Sequence, residues 1–193
     1  MPILAREPDE FPEGLLGRPE LGRELNRWWW LLYTRSNQEK ELMRRLRASG
    51  ISFYTPLIPR RRCSPKGRIR VSHVPLFTGY VIMYGDVQER QTAMTSNCVS
   101  RWLVVPDGAE LSLDLRQIQR LVETGVPLTP EAIFRAGMRV RIRSGPMAGL
   151  VGTIIRRHDR DHLVVAVNFL QQGASILLDG IQLERIDQEA LVG

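Results

Sequence analysis

The stretch RVRIRSGPMAGLVG, residues 139–152, places arginines at every second position and then breaks into glycines and a proline. Successive side chains of an extended chain point to opposite faces, so Arg139, Arg141 and Arg143 share one face. Val140 and Ile142 share the other. This pattern predicts a half-buried strand with a cationic outer face.

The glycines that follow this strand are predicted to occupy turns or close approaches of the backbone. Gly145, Gly149 and Gly152 suit such positions because glycine adopts positive φ at little cost. A phosphate-binding loop is the rival interpretation, but that motif ends in Gly-Lys-Ser/Thr and continues as a helix. Here Gly152 is followed by Thr153 and Ile154, without a lysine or a helical pattern. The stretch therefore favours a small β-barrel over a nucleotide site.

Length, composition and charge restrict the class of protein. The 193 residues suffice for one domain or two small ones, and 43% hydrophobic with 25% charged residues is typical of soluble proteins. An apolar run of about 18 residues, which would predict a membrane span, is absent. The N-terminus lacks the features of a secretory signal, and the two distant cysteines, Cys63 and Cys98, favour a reduced, cytoplasmic protein.

Residues 28–125 carry a net charge of +7, which suggests either a nucleic-acid-binding face or a solvated surface.

The order of elements predicts an α+β fold with two domains. Residues 1–27 are expected to form a flexible extension, because they show too little apolar periodicity for a core. Residues 28–125 follow a β-α-β-β-α-β-α order, which predicts a ferredoxin-like domain with an antiparallel sheet and helices. Its strands are expected at 28–34, 51–59, 73–85 and 101–105, its helices at 36–50, 86–94 and 112–125, and a basic loop at 60–71. Ser36 or Asn37 is expected to cap the first helix, and Asp86 the second.

Residues 126–136 contain prolines and are interpreted as a linker. Five short strands are predicted in residues 137–187, at 138–143, 150–156, 163–169, 174–178 and 181–185, and they favour a small five-stranded SH3-like β-barrel. Residues 188–193 form a tail. The HDRDH stretch, residues 158–162, lies between two strand patterns and is interpreted as a hairpin turn, so no metal site is expected.

Two stretches carry a family resemblance: WWLLYTRSNQEKELMRRL, residues 29–46, and PLFTGYVIM, residues 75–83. The first resembles the opening strand and helix, and the second the Phe-Pro-Gly-Tyr signature, of the NusG family of transcription elongation factors, including its RfaH-like paralogues. Thr78 stands in place of the usual proline of that signature. The glycine-rich stretch after residue 143 resembles the KOW motif. The resemblance covers about residues 28–187.

This resemblance implies a non-enzymatic factor, without cofactor or metal, that suppresses pausing or termination. Its N-terminal domain would bind the clamp helices of the largest catalytic subunit of RNA polymerase. The positions that match the apolar binding patch are Trp29, Tyr33, Phe77, Tyr80, Ile82, Trp102 and Val105. Aromatic side chains supply rigid contact area, although in strands they are more often part of the core. Of this set, Tyr33 and Tyr80 are expected to be exposed, because a phenol tolerates water.

Other positions resemble surfaces that bind nucleic acid or partner proteins. Four basic residues match the place where RfaH-like members approach the non-template DNA strand, and a solvated helix face is the alternative: Arg35, Arg44, Arg45 and Arg47. Nascent RNA is a further candidate ligand. The residues that match the KOW motif are Gly145, Pro146, Met147, Gly149 and Gly152. This domain is expected to stay a barrel and to recruit a small-subunit ribosomal protein or the termination factor Rho. The alternative is a ribosome-associated RNA-binding KOW protein.

Overall fold

The computed structural model describes residues 7–63, 67, 69–131, 138–157, 160–178, 181 and 183–186. The chain divides by its contacts into two compact units, Met1–Ser112 and Leu113–Gly193. Helices are combined with antiparallel sheets, so the mixed α+β fold class is confirmed. The ferredoxin-like and SH3-like assignments stay predictions.

The helices and strands of the first unit are, in chain order, β1 (Glu10–Phe11), β2 (Trp28–Thr34), α1 (Glu39–Ala48), β3 (Ser52–Tyr54), β4 (Leu57–Cys63), β5 (Ile69–Pro75), β6 (Tyr80–Gly85), α2 (Val87–Thr95), β7 (Val99–Val104) and α3 (Gly108–Glu123), which continues into the second unit. The unit is built around a five-stranded antiparallel sheet with the order β1-β3-β6-β2-β7.

Alternation along β2 assigns one face of the sheet to the core. Trp30 and Leu32 pack in a buried cluster with Leu42, Met43 and Leu46 of α1. The three α1 residues recur at helical spacing, so they lie on the same side of the helix. Burying apolar side chains stabilises the fold by about 1.5–3 kcal/mol for each residue of this size.

The N-terminal segment is ordered over much of its length, so the prediction of a flexible extension is wrong for residues 10–21. Phe11 in β1 pairs with Phe53 in β3, which adds an edge strand to the sheet. Leu15, Leu16 and Leu21 are at most 1% exposed. These leucines follow no strand or helix period, and only the tertiary structure supplies the surface that buries them.

The predicted helix caps have different outcomes. Asp86 caps α2 as predicted, since its carboxylate accepts from the Glu89 amide and the Glu89 carboxylate accepts from the Asp86 amide. Helix α1 instead begins at Glu39, after Gln38, without a side-chain cap. Asn37 adopts a left-handed conformation with φ of 58°, which keeps residues 36–37 outside the helix.

The segment that was predicted as a basic loop is a hairpin. β4 and β5 pair along their whole length and form a separate two-stranded sheet. The run of arginines concealed this strand, because its alternation lacks an apolar face at residues 60–62.

The strands of the second unit are β8 (Thr129–Glu131), β9 (Met138–Ile142), β10 (Val151–Arg157), β11 (Arg160–Val167), β12 (Gln172–Leu177) and β13 (Leu183–Arg185). They form a six-stranded antiparallel sheet with the order β13-β9-β10-β11-β12-β8. β9 to β13 correspond to the five predicted strands. β8 lies inside the predicted linker, where Thr129 pairs with Ser175 of β12.

The boundary between the two units differs from the predicted domain boundary. The units divide at Ser112, inside α3, whereas the sequence predicted a domain boundary at residue 125. Residues 132–136 of the linker and 188–193 of the tail lie outside the described residues. β10 and β11 form the predicted hairpin, with Arg157 opposite Arg160, while residues 158–159 of its turn are not described. In the described ranges, no helix is long and apolar enough to cross a membrane.

Candidate functional sites

Three side chains form a row across adjacent strands of the first sheet. Tyr33 of β2 lies opposite Tyr80 of β6 on one side and opposite Arg101 of β7 on the other. The two tyrosine rings meet edge to face, with centroids 5.0 Å apart, and the Arg101 guanidinium lies 3.9 Å from the Tyr33 ring centroid. Both tyrosines are half-buried, whereas the sequence predicted that they would be exposed, and Arg101 is exposed. The row offers aromatic surface and a positive charge to a partner.

Arg101 was not among the residues selected from the sequence. Pairing between β2 and β7 places it beside Tyr33, and this register is a tertiary property. The only sequence signal was alternation in RWLVV, which separates Arg101 and Leu103 from Trp102. Leu103 lies opposite Leu31 and is 42% exposed, so it extends the same face.

Trp29 is a core residue. Its side chain is 0% exposed and its indole N–H donates to the Ser112 hydroxyl at 2.9 Å. The same hydroxyl lies 2.7 Å from the Gly108 carbonyl oxygen, to which it donates. A Cβ on Gly108 would lie 3.2 Å from Trp29, so glycine keeps the start of α3 close to the indole. Trp29 thus fixes the start of α3 and does not reach solvent.

Three more residues of the predicted polymerase-binding patch are also buried. Phe77 and Ile82 are 2% exposed and Val105 is 4% exposed. A side chain without accessible surface makes no direct contact with a partner. These residues, like Trp29, contribute by packing beneath the surface.

Trp102 is exposed but lies on the other face of the sheet. It is opposite Leu32, whose side chain enters the core, whereas Arg101 and Leu103 alternate with it. Its ring meets Trp30 edge to face at 5.3 Å, and the Arg90 guanidinium lies 4.1 Å from its centroid. The structure therefore does not bring Trp102 together with Tyr33.

The four arginines predicted to bind nucleic acid fall into two pairs. Arg44 forms ion pairs with Glu7 at 2.7 Å and Glu41 at 3.1 Å, and Arg45 pairs with Glu41 at 2.8 Å. Hydrogen bonds from Arg45 and Arg44 lower the pKa of Glu41, and the bond to Glu7 raises the pKa of Arg44.

The other pair, Arg35 and Arg47, is exposed. Within the described residues, no side-chain ion pair involves either one. A phosphate would compete with carboxylates at Arg44 and Arg45, but not at these two positions. The charges of Arg44 and Arg45 are thus neutralised by carboxylates of the same chain, whereas Arg35 and Arg47 can bind a phosphate without breaking an ion pair.

The glycines of the KOW-like stretch occupy the positions expected from the sequence. Gly145 and Gly149 have φ of 85° and 83°, and a Cβ on Gly152 would lie 2.5 Å from the Val164 carbonyl oxygen. The turn is closed by the Gly149 amide, which donates to the Ile142 carbonyl at 2.8 Å. Gly145 and Gly149 therefore allow the turn, and Gly152 allows two strands to approach each other closely.

The rest of this turn presents Pro146 and Met147. Pro146 is exposed and Met147 is half-buried. Within the second unit, α3 holds the neighbouring backbone by hydrogen bonds. Arg120 donates to the Ala148 carbonyl and the Gln117 side chain accepts from the Val151 amide. Met147 is thus partly accessible, on a turn whose neighbouring backbone is hydrogen-bonded to α3.

Among the described residues, no group of three or more His, Cys, Asp or Glu side chains is placed to hold a metal ion. Asp161 and His162 of the HDRDH stretch belong to β11 and pair with β10 residues Arg156 and Ile155.

Comparisons with known proteins identify a family. A family model described as NusG, transcription termination factor nusG, matches residues 27–134, more than half of the chain. Among curated proteins, none matches. A crystal structure of an MjSpt4:Spt5 complex in conformation B resembles the chain with 18% identity, over 82% of this chain and 99% of that chain, at a TM-score of 0.26. A TM-score this low carries no argument about architecture.

Proposed function

The chain belongs to the NusG family of transcription factors, and on that premise we propose that it binds RNA polymerase through the row formed by Tyr33, Tyr80 and Arg101. The partner surface is the clamp helices of the largest catalytic subunit. The observation that carries this proposal is the placement of two accessible tyrosines and an arginine side by side on three strands. Tyrosine and arginine are enriched among the residues that dominate binding energy at protein interfaces.

Packed side chains beside the row favour a binding role. Leu31 and Ile82 lie opposite each other at the next positions on the same face of the sheet, and both are 2% exposed. Side chains held by such packing lose little conformational freedom when a partner binds, which lowers the cost of association. The exposed Leu103 adds apolar area beside the row.

Bound in this way, the protein acts as a non-enzymatic elongation or antitermination factor that opposes pausing or termination. Arg35 and Arg47 contact the phosphates of the exposed non-template DNA strand. Single-stranded nucleic acid is held in this manner by positive charge along its backbone.

The second unit contributes a KOW domain with an SH3-like barrel, which recruits a further protein through Met147. Methionine adapts to apolar pockets of irregular shape. A small-subunit ribosomal protein and Rho are the candidate partners. The alternative function, RNA binding at the ribosome, draws support from the exposed Arg139 and Arg141 on β9.

The test is binding of the full chain to purified RNA polymerase after nuclease treatment. Replacing Tyr33 and Tyr80 with Ser should reduce affinity at least a hundredfold, because each truncation of such a residue costs about 2 kcal/mol or more. The matched control is Trp102→Ser, which removes an exposed aromatic side chain from the opposite face. Undiminished binding by a folded tyrosine variant contradicts the proposal, and polymerase-independent binding to ribosomes supports the alternative.

A further inference from the structure

An arginine-rich hairpin in the first unit has no role in the proposed function. Its strands, 57–63 and 69–75, pair with each other and form a sheet of their own. The base is anchored in the core, where Leu57 and Leu76 are each 1% exposed. Between Arg60 and Ser72, the side chains that the structure describes are exposed. An isolated two-stranded hairpin has little stability of its own, so the packing of its base is what stabilises it. Its outer part is an exposed arm.

The charge of this segment has one sign. Residues 57–75 include neither Asp nor Glu and have six basic residues: Arg60, Arg61, Arg62, Lys66, Arg68 and Arg70. Their combined charge equals the net charge of the whole chain, +6. Among the described residues, no ion pair involves Arg60 or Arg70, in contrast with the paired Arg44 on α1. This concentration of charge predicts a polyanionic ligand.

The register places two of these arginines on one face. Arg60 lies opposite Ser72, and Arg70 precedes Ser72 by two residues, so Arg60 and Arg70 are diagonal neighbours. Their Cα atoms are therefore about 7–8 Å apart. Ile69 and Val71 point to the other face and are 70% and 51% exposed. The exposed Arg61 lies opposite Val71 and shares their face. The hairpin thus has one face with Arg60 and Arg70 and another on which exposed β-branched residues accompany an arginine.

We propose that this hairpin is a DNA-binding arm that lays its arginine face in the major groove of duplex DNA. The major groove of B-DNA is about 12 Å wide and admits a two-stranded β-ribbon. The corresponding groove of A-form RNA is too narrow for side chains to read, which favours DNA over double-stranded RNA. Arginine suits this role because its planar guanidinium donates in pairs to phosphates and to guanine.

This role is separate from polymerase binding and from the single strand assigned to Arg35 and Arg47. Two other roles would also place exposed arginines on this ribbon. Charged side chains protect exposed strand edges against aggregation, and a basic ribbon with apolar residues could lie on an anionic membrane. The experiment below distinguishes these roles from DNA binding.

The test measures binding of the full chain, without polymerase, to a dye-labelled DNA duplex of mixed sequence over a range of salt concentrations. The variant is Arg60→Thr with Arg70→Thr, since threonine favours strands. The matched control is Arg139→Thr with Arg141→Thr, which removes two alternate exposed arginines from β9 in the other unit. A fluorophore on the exposed Cys63 reports directly on the hairpin, because Cys98 is only 2% exposed and reacts slowly.

Duplex binding should weaken only in the hairpin variant. The slope of log affinity against log salt should decrease by about 0.9 for each lost phosphate contact, or about 1.8 for both. The Tyr33 and Tyr80 variant should bind duplex DNA normally, so failure of the polymerase proposal and failure of this one are distinguishable.

Three results overturn the proposal. Equal losses in the hairpin variant and the β9 control mean that overall charge, and not the ribbon, attracts DNA. If the protein binds single-stranded DNA as tightly as duplex DNA, and Arg60→Thr with Arg70→Thr weakens both equally, the assignment to duplex DNA is refuted. The third result would assign the hairpin to a membrane surface. The protein would sediment with anionic vesicles, Ile69→Ser with Val71→Ser would abolish this sedimentation, and the arginine variant would still bind duplex DNA normally.

Discussion

Tyr33 and Tyr80 face each other across β2 and β6 with their ring centroids 5.0 Å apart and their planes inclined at 61°. Arg101, on the adjacent strand β7, places its guanidinium carbon over the Tyr33 ring, 3.9 Å from the centroid. Edge-to-face contacts and cation–π contacts are both attractive, because the ring has a negative face and a positive edge. The three side chains therefore hold one another in place before any partner arrives.

Removing the guanidinium should weaken polymerase binding without unfolding the protein. Arg101 is exposed, and an exposed cation–π contact contributes about 0.5–1 kcal/mol. Arg101→Gln removes this contact within the chain, so it should lower the free energy of unfolding by no more than that amount. It should lower the affinity for polymerase a few-fold, because it removes the positive charge from the row. Arg101→Lys should restore part of the loss, since it keeps the charge but not the planar group. Equal affinities of all three proteins would mean that Arg101 lies outside the interface.

Trp29→Phe should destabilise the fold and leave the polymerase surface intact. The substitution removes the indole N–H that donates to the buried Ser112 hydroxyl, at a cost of about 1–3 kcal/mol. Denaturant unfolding measures the loss. Ser112→Ala should cost less in the Trp29→Phe background than in the wild type, with a coupling of about 0.5–3 kcal/mol. Additive effects of the two substitutions would show that this hydrogen bond does not stabilise the protein.

The two pairs of arginines near α1 should differ in their effect on single-stranded DNA binding. Arg35→Gln with Arg47→Gln should lower the salt slope by about 1.4, at about 0.7 for each lost contact on a single strand. Arg44→Gln with Arg45→Gln removes the same charge but breaks ion pairs with Glu7 and Glu41, so its effect should be smaller.

Elongation complexes with an exposed non-template strand provide the measurement for this comparison. Unmodified polymerase without nucleic acid is the control, and its binding should not change in either variant. Indistinguishable salt slopes for the two pairs would contradict the distinction drawn from the ion pairs.

Two substitutions in the turn of the second unit should have opposite consequences. Gly149→Val places a β-branched residue at φ of 83°, which costs about 1–3 kcal/mol in backbone strain. Amide hydrogen exchange should therefore accelerate in β9 and β10. Met147→Asp should leave exchange unchanged and abolish capture of the partner protein, because it introduces a charge into an apolar contact. Loss of protection in Met147→Asp would identify the methionine as a core residue.

Local sequence signals determined much of this structure. The apolar run at 28–34 predicts a strand, and β2 has these same bounds. The Asp86 cap and the positive φ of Gly145 and Gly149 were likewise predicted from residue type. Each of these features depends on interactions within a few residues, such as a side chain bonding to a nearby amide or the absence of a Cβ. The sequence alone therefore contained sufficient information for them.

Tertiary structure decided which side chains the surface offers. Trp29 and Tyr33 share a face of β2, yet Trp29 is covered by the start of α3 and Tyr33 is half-buried. Pairing of β7 with β2 brought Arg101 to Tyr33 and placed Trp102 on the opposite face. Pairing of β4 with β5 likewise turned a basic run into a ribbon. Burial and register depend on contacts between residues far apart in the chain, and a local pattern specifies a side chain's face without specifying what covers it.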